Sequence, residues 1–186
     1  MNGDDHANAN KHQIRPNGKH GLLNLIRKII SSCAMDSQFT ILLVEDNYEH
    51  LRLTKYILRE QGIPGEVFIA RDGQEAADYL FQRNRFADVA KAPRPHLVLL
   101  DLNIPRINGR ELLRIMKGDA SLCEIPVVVM SSSDREEDIL FAEAHGVAAY
   151  ISKADGFERL SQALSAIRRF ARGGDDAADG SAPRSS

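Results

Sequence analysis

Five short apolar runs, each lacking polar alternation, constrain this chain more than any other feature. They are Ile41 to Val44, Val67 to Ala70, Leu97 to Leu100, Val127 to Met130 and Ala148 to Ile151. A strand with one wet face alternates apolar and polar residues, whereas four or five apolar residues in succession suit a strand buried on both faces of a parallel sheet. Parallel neighbours need long crossovers, and the segments between the runs carry helix-period patterns. Five β–α units over residues 39–172 predict an α/β fold of the flavodoxin-like, doubly wound (βα)5 type, with a parallel five-stranded sheet in the order 2-1-3-4-5.

Helix starts are marked by an acceptor followed three residues later by Glu, the capping-box spacing: Asp46 with Glu49, Asp72 with Glu75, Ser133 with Glu136 and Asp155 with Glu158. The last segment sets Phe157, Leu160, Leu164, Ile167 and Ala171 on one stripe, with Arg159, Arg168, Arg169 and Arg172 outside it. That arginine group reads as a solvated helix face or a dimer contact.

The flanks differ from this core. Residues 1–38 form an N-terminal extension: the first twenty are rich in Asn and His with Ile14 as their one large aliphatic, and residues 21–33 have the pattern of a short amphipathic helix. Residues 173–186 are a tail of Gly, Ala, Asp and Ser. The 186 residues carry a net charge of −2, which conceals a basic head (five Lys/Arg against two Asp over 1–34), an acidic tail (three Asp against one Arg) and a core of −3. No basic excess points to nucleic acid, and neither flank is long enough for a helix-turn-helix domain. Two cysteines, Cys33 and Cys123, make no disulfide framework and have no metal-ligand spacing, which is expected of a protein of a reducing, cytoplasmic compartment. Leu22 to Ile30, the most apolar N-terminal stretch, is broken by Arg27 and Lys28, against both a membrane span and the uninterrupted apolar region that a lipoprotein signal at Cys33 needs. Met35, just ahead of the first strand, is a candidate start of translation.

In an open α/β sheet the ligand site lies beyond the carboxyl ends of the strands. The first run is followed there by Glu45-Asp46, the third by Asp101-Leu102-Asn103, the fourth by Ser131-Ser132-Ser133 and the fifth by Ser152-Lys153. Three clustered carboxylates repel one another unless a cation neutralises them. An all-oxygen set points to a hard ion such as Mg²⁺, with Lys153 and a Ser hydroxyl holding phosphoryl oxygens. Asp101, central in strand order, is then the best nucleophile toward phosphorus. Asp46 and Ser133 taken singly have the alternative reading of helix caps, and Lys153 that of a surface lysine.

As a set these residues resemble the receiver domain of bacterial two-component response regulators. The resemblance covers roughly residues 39–170, about seven tenths of the chain. It rests on Val44-Glu45-Asp46-Asn47, on Leu100-Asp101-Leu102-Asn103-Ile104-Pro105 with Gly109 eight residues past the Asp, on Ser131, and on Tyr150 three residues before Lys153. It implies that Asp101 accepts a phosphoryl group from the phosphohistidine of a sensor histidine kinase. Asp46, Asp101 and the backbone carbonyl of Asn103 would bind Mg²⁺, with Glu45 assisting through water. Lys153 would pair with the phosphoryl oxygens, Ser131 would shift to hydrogen-bond them, and Tyr150 would turn inward into the space vacated. Asn103 and Ser133, each two residues beyond a site residue, would flank the attacking water and tune phosphoryl lifetime. The bland reading of Tyr150 is an aromatic filling the sheet end.

Two departures from the family pattern stand out. Ala154 replaces the proline that usually follows this Lys, and the stretch from Asp46 to Asp101 is longer than in the shortest members, with the excess at Gln82 to Arg94. That extension, Asp-Leu-Asn-Ile-Pro, and Asp138-Ile139 after the triple Ser resemble the stand-alone receivers paired with phytochrome-type kinases. This subgroup implies homodimers through the face of the fourth helix, fifth strand and fifth helix. Output would pass through protein contacts, to an effector or back to a phosphorelay, or the chain would act as a phosphate sink for its kinase. Among rival functions, a phosphohydrolase of the haloacid-dehalogenase type needs a second Asp where Asn103 stands, and a receiver-like binding module that never takes phosphate would have lost one of the set.

Overall fold

A computed structural model describes residues 39–63, 65–133, 135–153 and 160–161. The extension 1–38, the tail 173–186, Met35, Ala154, Asp155 and all of the predicted last helix except Leu160 and Ser161 therefore lie outside the described residues. Five strands, β1 (Thr40–Val44), β2 (Glu66–Ala70), β3 (Leu97–Leu100), β4 (Val127–Ser131) and β5 (Ala149–Ser152), form one parallel sheet in the order β2-β1-β3-β4-β5. Between them run helices α1 (Tyr48–Glu60), α2 (Gly73–Leu80), α3 (Gly109–Gly118) and α4 (Glu136–Ala144). This is the doubly wound order expected from the pattern of runs and crossovers.

Successive strand residues point to opposite sides, and each side is dry. Leu42, Val44, Val98, Leu100, Val127 and Val129 join Ala76, Leu112, Leu113, Met116 and Ala142 of α2, α3 and α4 on one face. Ile41, Leu43, Leu97, Leu99, Val128 and Met130 join Leu51, Ile57 and Leu58 of α1, together with Leu160, on the other. β1, β3 and β4 are buried along their whole length, which is why their sequences do not alternate.

The capping expectations hold at one helix and fail at two. Asp72 caps α2, accepting from the Glu75 amide at 2.8 Å, while the Glu75 carboxylate returns to the Arg71 amide at 2.7 Å. At α1 the cap is Asn47 rather than Asp46: its side chain accepts from the amides of Glu49 and His50, at 2.9 and 3.1 Å. At α4 the cap position is held by Arg135 without a side-chain bond, and Ser133 is engaged otherwise. The stretch Gln82 to Arg94 forms a short 3-10 turn, Asn84–Phe86, and a loop whose Gln82 and Asn84 adopt positive φ.

Strand β1 and the entry to β3 are tied by an imidazole. The Thr40 amide donates to Nδ1 of His96 at 3.0 Å, the His96 amide donates back to the Thr40 carbonyl at 2.8 Å, and the ring stacks on Phe39. Burial, aided by the Arg94 charge, holds the His96 pKa below its ordinary value of 6.5. A folded-state pKa below the unfolded one means that the unfolded chain binds the proton more readily, so this stability is present above pH 6.5 and is lost as pH falls through the folded value. His96→Gln is expected to reduce the loss of urea-unfolding free energy between about pH 8 and about pH 5. An unchanged pH dependence in the variant would contradict the assignment.

Candidate functional site

Register brings the strand-end residues together before any side chain is considered. Val44 pairs with Leu100, Leu100 with Val129, and Ser131 with Ser152. The next residues continue the ladder, with the Glu45 amide bonded to the Ala70 carbonyl, the Asp101 amide to Val44 and the Lys153 amide to Ser131 at 2.8–3.0 Å. Glu45, Asp101, Ser131 and Lys153 thus stand side by side on one sheet edge. Glu45 and Ser131 are fully buried and Asp101 is 4% exposed.

Lys153 reaches across β4 to both acids. Its ammonium donates to Glu45 Oε2 at 2.5 Å and to Asp101 Oδ2 at 2.6 Å, with a side chain only 5% exposed. The remaining carboxylate oxygens are held locally: Glu45 Oε1 accepts from the Asn47 amide at 3.2 Å, and Asp101 Oδ1 from the Asn103 amide at 2.9 Å. Two nearly water-free carboxylates therefore share one ammonium, an arrangement that retains a demand for positive charge.

His50, which the sequence reading did not single out, belongs to the same group. Its Nδ1 lies 3.2 Å from both Glu45 Oε1 and Lys153 Nζ. Glu45, His50 and Asp101 offer ligand atoms within 4.8 Å of one another, a donor set that suits a divalent cation. Its position in the first turn of α1, four residues past Asp46, was the available signal. Asp46 and Asn103 are exposed immediately beside this group.

Ser133 is a junction. Its amide donates to Ser131 Oγ at 3.1 Å, its hydroxyl to Asp138 Oδ2 at 2.6 Å, and its carbonyl accepts the Tyr150 hydroxyl at 2.7 Å. Tyr150 is turned inward and is 7% exposed. Asp138 is in turn paired with Arg110 Nη1 at 3.1 Å, and the guanidinium lies over the Phe141 ring, linking α3 to α4. Ser133 therefore organises the loop after β4 instead of capping α4. Arg110 carried no sequence signal, because only the packing of α3 beside α4 brings it to Asp138.

The loop after Asp101 is pinned from two sides. The Gly73 amide donates to the Pro105 carbonyl at 3.2 Å and Arg106, at φ +65°, pairs with Asp72 at 3.3 Å. Gly109 opens α3 so close to the strand end that an added Cβ would run into the Asp101 carbonyl and Leu102 Cα. This accounts for a glycine eight residues past Asp101.

The comparisons with known proteins agree with this geometry. The family described as "Response regulator receiver domain" matches residues 41–165. Response regulator Rcp1 of Synechocystis is 37% identical over 130 residues, 70% of this chain and 86% of the relative. The phosphorylated cyanobacterial phytochrome response regulator RcpA is 42% identical with a TM-score of 0.63, covering 72% of this chain and 93% of that one. The Mn²⁺-bound form of Rcp1 is 36% identical with a TM-score of 0.62, covering 71% and 93%.

The charge arrangement makes two substitutions differ in sign. Lys153→Met leaves two buried carboxylates without their ammonium and is expected to destabilise the fold by about 3–5 kcal/mol. Asp101→Asn removes one of two like charges and is expected to raise the melting temperature. Thermal unfolding of both variants checks the pair, and equal shifts would contradict the charge accounting. Gly109→Ala is expected to destabilise the fold by a few kcal/mol, because the atoms met by the new methyl are backbone.

Proposed function

Because this chain belongs to the response regulator receiver domain family, whose members are signalling switches, we propose that it is a phosphorylatable single-domain response regulator that takes a phosphoryl group on Asp101. The observation that carries the reading is the Lys153 ammonium held between buried Glu45 and Asp101 at the carboxyl ends of β5, β1 and β3. The stand-alone assignment, with a receiver over 39–172 between an extension and a tail, is supported by the near-complete coverage of its relatives.

In the transfer, an Asp101 carboxylate oxygen attacks the phosphorus of a phosphohistidine. The P–N bond breaks, and the departing imidazole keeps the bonding electron pair. Asp46, Asp101 and the Asn103 carbonyl would hold Mg²⁺, with Glu45 assisting through water, and the ion would supply neutralising charge to the phosphoryl oxygens. Lys153 holds a phosphoryl oxygen as a point charge, and the Ser131 hydroxyl donates to another. The phosphoryl group adds about −1.5 to −2 charge, which favours the arrangement that brings Ser131 and Lys153 toward it. Tyr150, joined through Ser133 to Ser131, links that arrangement to the loop after β4. Asn103 and Ser133, each two residues beyond a site residue, are the positions that would help or hinder the water that hydrolyses the acyl phosphate.

The names of the relatives favour a phytochrome-type sensor kinase as donor, and Leu140, 52% exposed on α4, supports a homodimer contact through the face of α4 and β5. Among the described residues no helix is long and apolar enough to cross a membrane.

Incubation with Mg²⁺ and acetyl phosphate is expected to add one phosphoryl group to the wild type and none to Asp101→Asn, read by intact-mass spectrometry. Beryllofluoride with Mg²⁺ is expected to raise the dimer fraction in light scattering. Equal labelling of both proteins would refute the assignment of Asp101.

A further inference from the structure

The cation centre contains a nitrogen donor beyond the oxygen set named above. Nδ1 of His50, Oε1 and Oε2 of Glu45 and Oδ2 of Asp101 converge on one place, and a cation already stands there. The Lys153 ammonium lies 2.5 Å from Glu45, 2.6 Å from Asp101 and 3.2 Å from His50 Nδ1. Glu45 and Asp101 are nearly water-free and bring two negative charges against that one ammonium, so a doubly charged ion matches the site better than lysine alone. His50 is fixed for the task by its position: its amide is bonded to the Asn47 cap, and its ring starts one turn above the strand end.

We propose that His50 is a direct ligand of the divalent ion through Nδ1, so that this centre accepts imidazole-binding ions such as Co²⁺ and Zn²⁺ in addition to the oxygen-preferring Mg²⁺ and Mn²⁺. The inference rests on the receiver reading of the site but adds a residue to it. Mg²⁺ favours oxygen ligands and retains water, so it gains little from the imidazole, whereas the later first-row ions gain a ligand that suits them. An ion held by Glu45 and His50 also takes over the charge that Lys153 now supplies there, which releases the ammonium for phosphoryl oxygens.

Pulsed electron paramagnetic resonance on the full chain loaded with one equivalent of Mn²⁺ tests this. The expected result is nitrogen modulation from a coordinated imidazole that disappears in His50→Gln, which also excludes the other histidines of the chain as its source. Calorimetric titration is expected to show Co²⁺ affinity falling roughly tenfold or more in His50→Gln while Mg²⁺ affinity changes by less than about threefold. Bound Mn²⁺ without nitrogen modulation, alongside Mg²⁺-dependent phosphorylation of Asp101, would overturn the role of His50 and leave the receiver reading standing. Modulation that depends on His50 in a chain that takes no phosphoryl group would support the ligand and overturn the switch. No Mn²⁺ binding at all would overturn the proposal outright.

Discussion

One ammonium between two buried carboxylates organises this molecule. Glu45 and Asp101 emerge from adjacent strands with almost no access to water, and each would cost several kcal/mol if left uncompensated. Lys153 meets both, which requires that β5 lie on the far side of β4 and that all three strand ends stop at the same level. The sheet order is therefore a condition of the charge balance as well as of core burial. The same balance gives the site its chemistry, because a centre that is one positive charge short attracts a divalent ion.

Around that centre the loops are held by a few directional contacts. Asn47 caps α1 and presents both Glu45 and His50, Gly109 lets α3 start against Asp101, and Gly73 with Asp72 fastens the loop after β3. Ser133 joins the Ser131 hydroxyl, the Tyr150 ring and the Asp138–Arg110 pair. The Ser131 hydroxyl, the Tyr150 hydroxyl and the α3–α4 contact are thus joined through a single residue.

Much of this was legible in the residues because it depends on local period and on position after a strand. The apolar runs specified the sheet, and β1, β3 and β4 are buried on both faces as expected while the edge strand β2 is only half-buried; the polar residues at the carboxyl ends of the runs specified where chemistry would gather. Two capping expectations failed for a related reason. Asp46 and Ser133 have the right chemistry and spacing, but Asn47 is one residue nearer the first turn of α1, and α4 begins at Glu136 with Arg135 at its cap, two residues past Ser133. A three-residue spacing identifies an eligible acceptor and does not say which neighbour it finds.

By itself the sequence determined the class of fold, the strand order and the residues that line the site edge, since hydrophobic period and strand-end placement act within a few residues of each position. Only the tertiary structure decided which of those groups touch. The pairing of Lys153 with both acids, the approach of His50 to Glu45 and Lys153 and the link from Ser133 through Asp138 to Arg110 join residues far apart in sequence or on different elements. Such contacts depend on register, helix rotation and burial together, and desolvation makes them strong only after the strands and helices have packed.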